Sequence, residues 1–235
     1  MKKQLLCLAT MTLATSLFAA DAKEEVIAAA KKLGEKANYS WKTTVTVPES
    51  AQFKPGPTEG KTEKDGFTHI KTSFRDNTIE AVTKGDKTAF INQDGEWQLA
   101  DSQGGGGGGR GGGFMRNTRP PAVQAAEVAA GAKELKKDGD VISGDLTEDA
   151  AKNLMRFRRG GGGGGGGEPP PISNAKGSAK FWVKDGVLSK YEFKLSGKME
   201  INGNDVDMDR TTSVEIKDVG TTKVEVPEGA KKKFS

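Results

Sequence analysis

Residues able to do chemistry are few and scattered in this chain. His69, its sole histidine, stands in the run GFTHIKTSF. As a general base it would need a nucleophile to deprotonate and a third group to hold its tautomer. The sequence supplies no such pair, so His69 reads as a structural or surface side chain. Asp205, Asp207 and Asp209 in NDVDMDR open like a calcium loop. That loop needs glycine at its sixth position and glutamate at its twelfth. Arg210 and Ile216 stand there instead, so the alternation reads as a strand. No catalytic residue, metal ligand or cofactor is assigned. The chain reads as non-enzymatic, with a hydrolase a distant alternative.

Two arginine–glycine segments raise the question of RNA, which such boxes bind through charge and stacking. In GGGGGGRGGGF (104–114) Arg110 stands alone, and Arg156, Arg158 and Arg159 only precede the eight glycines of 160–167. Boxes of that kind repeat arginine every few residues, so no nucleic-acid partner is expected. Together the tracts hold 17 of the 32 glycines (six, three and eight). Polyglycine buries nothing and loses the most backbone entropy on ordering. Residues 103–113 and 160–171 therefore read as disordered linkers. The more promising set is apolar: Tyr39, Trp41, Trp97, Phe181, Tyr191 and Phe193, with Leu195 and Met199, all fall in strand-like runs. There they line a ligand cavity or simply fill a core.

The elements that position these residues follow from pattern. Lys2 and Lys3 precede a mostly apolar stretch from Leu5 to Phe18, small residues follow, and Leu17-Phe18-Ala19 and Ala20-Asp21-Ala22 both offer cleavage patterns. Residues 1–20 therefore read as a secretory signal peptide, too short for a comfortable membrane span. Leu5 and Leu6 before Cys7 make a poor lipidation context. The mature chain is expected to begin between Ala20 and Lys23, without an acyl group. It then lacks the sole cysteine, and the net charge falls from +4 to +2 with the loss of Lys2 and Lys3. That balance calls for no polyanionic partner. No other apolar run approaches membrane-spanning length, so a soluble protein is expected, periplasmic or extracellular.

Residues 21–235 read as one domain. Val26, Ala29 or Ala30, Leu33 and Ala37 recur at helical spacing over Asp21–Ala37. YSWKTTVTV then alternates with period two, as a half-buried strand. Residues 48–65, with three prolines, read as a loop, and GFTHIKTSF, NTIEAVTK and KTAFINQDGEWQLA supply three or four more strands. A helical insertion (118–158) follows, with helices over Pro120–Leu135 and Leu146–Phe157. The last third reads as four strands. Its Asn202-Gly203 hairpin signal sets Met199 against Val206, Gly197 against Met208, Phe193 against Thr212 and Tyr191 against Val214, with Lys198 facing Asp207 and Arg210 opposite Leu195. A three-residue loop, Lys184-Asp185-Gly186, is expected to bring Phe181, Val183, Val187 and Tyr191 to one apolar face. The fold class is α+β: a curved antiparallel half-barrel of about eight or nine strands, its concave face covered by helices.

This arrangement resembles the periplasmic lipoprotein-carrier superfamily of the LolA and LppX type. The resemblance lies in EEVIAAAKKLGEKANYSWKTTV, in GDKTAFINQDGEW, and in FWVKDGVLSKYEFKLSG followed by TTSVEIKDVGTTKVEVPE. It implies a half-barrel cavity that holds an acyl chain or a lipoprotein. The alternative is an envelope structural or protein-interaction module with a filled core.

Overall fold

The structure, a computed structural model, describes residues 7–51, 54–74, 77–92, 94–100, 119–156, 171–201 and 203–235, with side chains from residue 21 onward except at 74, 77 and 201. Both glycine tracts, and the linker reading made of them, lie outside the described residues. Helix α1 runs Cys7–Gly34. Strands β1 (Asn38–Thr46), β2 (Thr58–Glu63), β3 (Thr68–Phe74), β4 (Asn77–Lys84), β5 (Lys87–Ile91) and β6 (Trp97–Leu99) follow as a meander. The middle of the chain forms α2 (Pro121–Ala130), β7 (Lys136–Asp138), β8 (Val141–Asp145) and α3 (Glu148–Arg156). Three long strands, β9 (Ile172–Lys184), β10 (Val187–Ile201) and β11 (Asn204–Lys217), and the short helix α4 (Glu228–Lys231) complete it.

The eleven strands form one curved, unclosed antiparallel sheet in the order β6-β5-β4-β3-β2-β1-β11-β10-β9-β8-β7. The two meanders meet where β1 pairs with β11, from Ser40↔Lys217 to Thr46↔Thr211. The β10–β11 register matches the sequence reading pair for pair: Met199↔Val206, Leu195↔Arg210, Phe193↔Thr212 and Tyr191↔Val214. Lys198 and Asp207 pair on the other face, where Lys198–Asp205 and Lys194–Asp209 form diagonal ion pairs at 3.7 and 3.5 Å.

Several expectations are corrected. The segment read as a loop contains β2, paired with β1 and β3. Its prolines stop short of Thr58, and Thr58, Gly60 and Thr62 alternate inward against outward Glu59, Lys61 and Glu63. The first middle helix ends at Ala130, not Leu135. There the Gly131 carbonyl accepts from Thr147 N–H, and a Cβ on Gly131 would sit 2.6 Å from that of Ala150. The close approach of α3 leaves no room for another helical turn. The chain then forms the β7–β8 hairpin, and β8 pairs with β9 from Val141↔Trp182 to Asp145↔Ser178. The middle segment is thus tied into the sheet by its own strands.

The loop between β9 and β10 has two residues, Asp185 (φ 53) and Gly186 (φ 70), closed by Lys184↔Val187. A bulge between Leu188 and Lys190 then restores Phe181↔Tyr191. Phe181, Val183 and Tyr191 do share a face, but Leu188, not Val187, joins them. The fourth strand expected over TTKVEVP is absent. Both sides of β11 are already taken, by β1 and β10, so the chain cannot continue as the next hairpin partner of β11. The chain turns instead at Asp218 (φ 51) and Gly220 (φ 85).

Helices α1, α2 and α3 lie across one face of the sheet, α1 on β10 and on α2, α3 on β9 and β10. Their buried stripes are rich in alanine: Ala22, Val26, Ala29, Ala30 and Leu33 on α1, and Ala122, Ala125, Val128 and Ala129 on α2. Among the described residues no helix is long and apolar enough to cross a membrane.

Candidate functional site: the covered concave face

Directly paired residues on neighbouring strands point to one face, so the register assigns each candidate side chain. Tyr191 pairs with Phe181 and Val214, and Phe193 with Thr212, which pairs with Val45. Trp41 pairs with Gly60, Gly60 with Ile70, Ile70 with Ala81, and Ala81 with Phe90. This chain of pairs places Tyr39, Trp41, Phe181, Tyr191, Phe193, Leu195 and Met199 on the face that the helices cover, and all seven are buried in one continuous core cluster.

Three of them form a stack across two strands. The Phe181 and Tyr191 rings lie 6.5 Å apart at 22°, and Tyr191 and Phe193 lie 6.5 Å apart at 10°. Offset stacks of this kind contribute about 0.5–1.5 kcal/mol beyond the area they bury. The stack is tied to its cover by a polar bond, in which Tyr191 Oη donates to Gln124 Oε1 of α2 at 2.7 Å. Burial pushes the Tyr191 phenol well above its ordinary pKa, and Tyr39 nearby adds to the effect. Burial also raises Tyr39, while its bonds to the Thr62 side chain and the Ala122 backbone oppose the shift. Both phenols therefore stay neutral near pH 7.

Towards β2 the face changes character. Trp41 lies flat over Gly60, where a Cβ would fall 2.1 Å from the indole ring, and its Nε1 donates to Thr62 Oγ1 at 3.2 Å. Thr58 and Thr72 bond each other at 2.7 Å. Arg210 is the polar exception on the apolar half. Its Nη2 donates to the Leu154 carbonyl in the last turn of α3 at 2.8 Å, a favourable place for a cation at a helix C-terminus.

Trp97 is elsewhere. It neighbours Gln98, which pairs with Phe90, so Trp97 points to the opposite face, where it packs against Gly229 of α4. The period-two pattern of the three-residue strand β6 was too short to decide its face. Sequence reasoning missed Thr58, Gly60 and Thr62, hidden in the proline-bearing segment, and Gln124, whose role only the tertiary packing reveals. His69 also lies on the opposite face, with Nε2 2.5 Å from Glu80 Oε1 and Lys71 3.5 Å from the same carboxylate.

No family model matches the chain, and no curated protein matches it. Solved structures do. The Mycobacterium tuberculosis lipoprotein LppX is similar at a TM-score of 0.48 with 9% identity, over 87% of this chain and 98% of that one. LprF from Mycobacterium bovis gives 0.45 with 11% identity, over 90% and 98%. A LolA superfamily protein from Nitrosomonas europaea gives 0.32 with 11% identity, over 88% and 95%. The architecture itself is the one the sequence resemblance implied: a curved antiparallel sheet, open at both edges, with helices laid over its concave face.

Proposed function

We propose that the protein is an exported, non-enzymatic carrier that shelters an apolar ligand, a lipid or acyl chain, between the concave face and the helices. The observation that supports this reading is the mismatch between the two sides of that interface. The sheet presents aromatic and large aliphatic side chains, whereas the buried stripes of α1 and α2 are largely alanine. Hydrophobic attachment scales with the apolar area removed from water, about 25 cal/mol per Å². An alanine-faced cover is therefore displaced at smaller cost than one of leucine and phenylalanine, and a methylene chain can take its place. Tyr39, Trp41, Phe181, Tyr191, Phe193, Leu195 and Met199 are the proposed ligand contacts. Trp97, on the other face, is not among them. Export rests on the basic and apolar pattern of the first twenty residues, and no nucleic-acid partner is proposed.

A second reading is an envelope interaction module whose core is permanently filled. It is favoured by the near-complete burial of the same seven side chains under the protein's own helices. A fluorescent hydrophobic dye separates the two. The carrier reading expects the dye to bind and to be displaced by fatty acids; a folded protein that binds no dye supports the filled module.

A further inference from the structure

Six polar side chains are buried among the described residues: Thr58, Thr62, Thr72, Arg210, Thr212 and Thr222. Five have hydrogen bonds in place. Thr58 pairs with Thr72, Thr62 accepts from Trp41 and Thr68, Thr222 donates to the Asp218 carbonyl, and Arg210 donates to that of Leu154. Thr212 is the exception. It is 2% exposed, and its Oγ1 has no hydrogen-bond partner among the described residues. Buried hydroxyls nearly always find a partner, because leaving one unmade forfeits its hydration with nothing in return. The register puts this hydroxyl on the concave face, between Phe193 of β10 and Val45 of β1. Arg210, two residues before it on the same strand, brings a positive charge to the same face.

We infer that Thr212 is the polar contact of the bound ligand, and that the ligand is an acyl chain bearing an oxygen acceptor, a carboxyl or ester group. This rests on the carrier reading and adds the residue that meets the oxygen of what is carried. A pure hydrocarbon satisfies the aromatic stack but leaves the Thr212 hydroxyl without an acceptor. A carbonyl or carboxylate oxygen accepts its hydrogen bond, and a carboxylate also gains from the charge of Arg210.

The test uses three fluorescent probes: cis-parinaric acid, its methyl ester, and the hydrocarbon diphenylhexatriene. Thr212→Val keeps the shape of the side chain and removes only the hydroxyl; Thr212→Ser keeps the hydroxyl. The valine variant is expected to melt at the same temperature or higher. It should bind the oxygen-bearing probes about two- to tenfold more weakly, with diphenylhexatriene unchanged and the serine variant close to the original. A loss confined to the acid identifies a free carboxylate, and a loss for both acid and ester identifies an acyl carbonyl. Equal affinities of the original and valine proteins for all three probes overturn the inference and leave the carrier reading standing. A protein that binds none of the probes overturns both. A clear fall in melting temperature for the valine variant contradicts the premise that the hydroxyl lacks a partner.

Discussion

Phe181→Ala is expected to lower folding stability by about 3–5 kcal/mol. Phe181 is fully buried, stacks on Tyr191, and pairs across the sheet with Ile142 of β8 as well as with β10. It is thus the point where the middle segment, the long hairpin and the stack share one contact. Deleting its ring removes the transfer free energy of the side chain and leaves a cavity that three strands must collapse to fill. Chemical denaturation measures the effect, read as a shift in midpoint with an unchanged slope. A cost below about 1 kcal/mol would mean that the ring does not sit in a packed core.

Gly144→Val is expected to damage the fold by a different route. Gly144 lies in β8 opposite Ala179 of β9, and a Cβ there would stand 1.9 Å from the Glu134 carbonyl oxygen. The obstacle is backbone, which cannot rotate away as a side-chain end can. Overpacking typically costs about 1–3 kcal/mol, and this substitution is expected at or above the top of that range. Because β8 carries the chain from α2 to α3, the strain should also loosen the cover. Hydrogen exchange is expected to speed up in α2, β8 and α3 before it does so in β10 and β11. Uniform loss of protection would instead show that the middle segment and the sheet unfold as one unit.

Which parts of this architecture were legible follows from the same geometry. The β10–β11 hairpin could be read to the residue because a strong two-residue turn signal fixed the register and every pair beyond it agreed. The β9–β10 hairpin had an equally clear turn, but a bulge after Leu188 shifts the register by one, and a bulge has no sequence mark where the inserted residue is an ordinary serine. Strand β2 hid because its inward side chains are Thr58, Gly60 and Thr62, small and polar, and because its neighbours are prolines. Its glycine makes sense only against the Trp41 ring. The overcounted last strand failed for a topological reason: TTKVEVP alternates well, but both sides of β11 are already paired, so no strand can follow it as the next hairpin partner.

The candidate face was half legible for a related reason. Alternation on the long strands assigned Tyr191, Phe193, Leu195 and Met199 correctly, and it exposed Arg210 as the polar residue on an apolar side. Where Arg210 sends its guanidinium, to the end of α3, depends on a helix 56 positions away in sequence. The isolation of the Thr212 hydroxyl is likewise a property of packing. Threonine alternating along a strand carries no sign of which one lacks a partner.

The proposed carrier holds an acyl-bearing ligand on its concave face, beneath an alanine-rich cover. Native mass spectrometry on protein purified without detergent from the cells that make it decides whether such a ligand is bound. The expected result is a mass above that of the polypeptide, from an addition that organic extraction removes and that fragments as an acyl compound. A folded protein at the bare polypeptide mass, with no acyl compound in the extract, would contradict it.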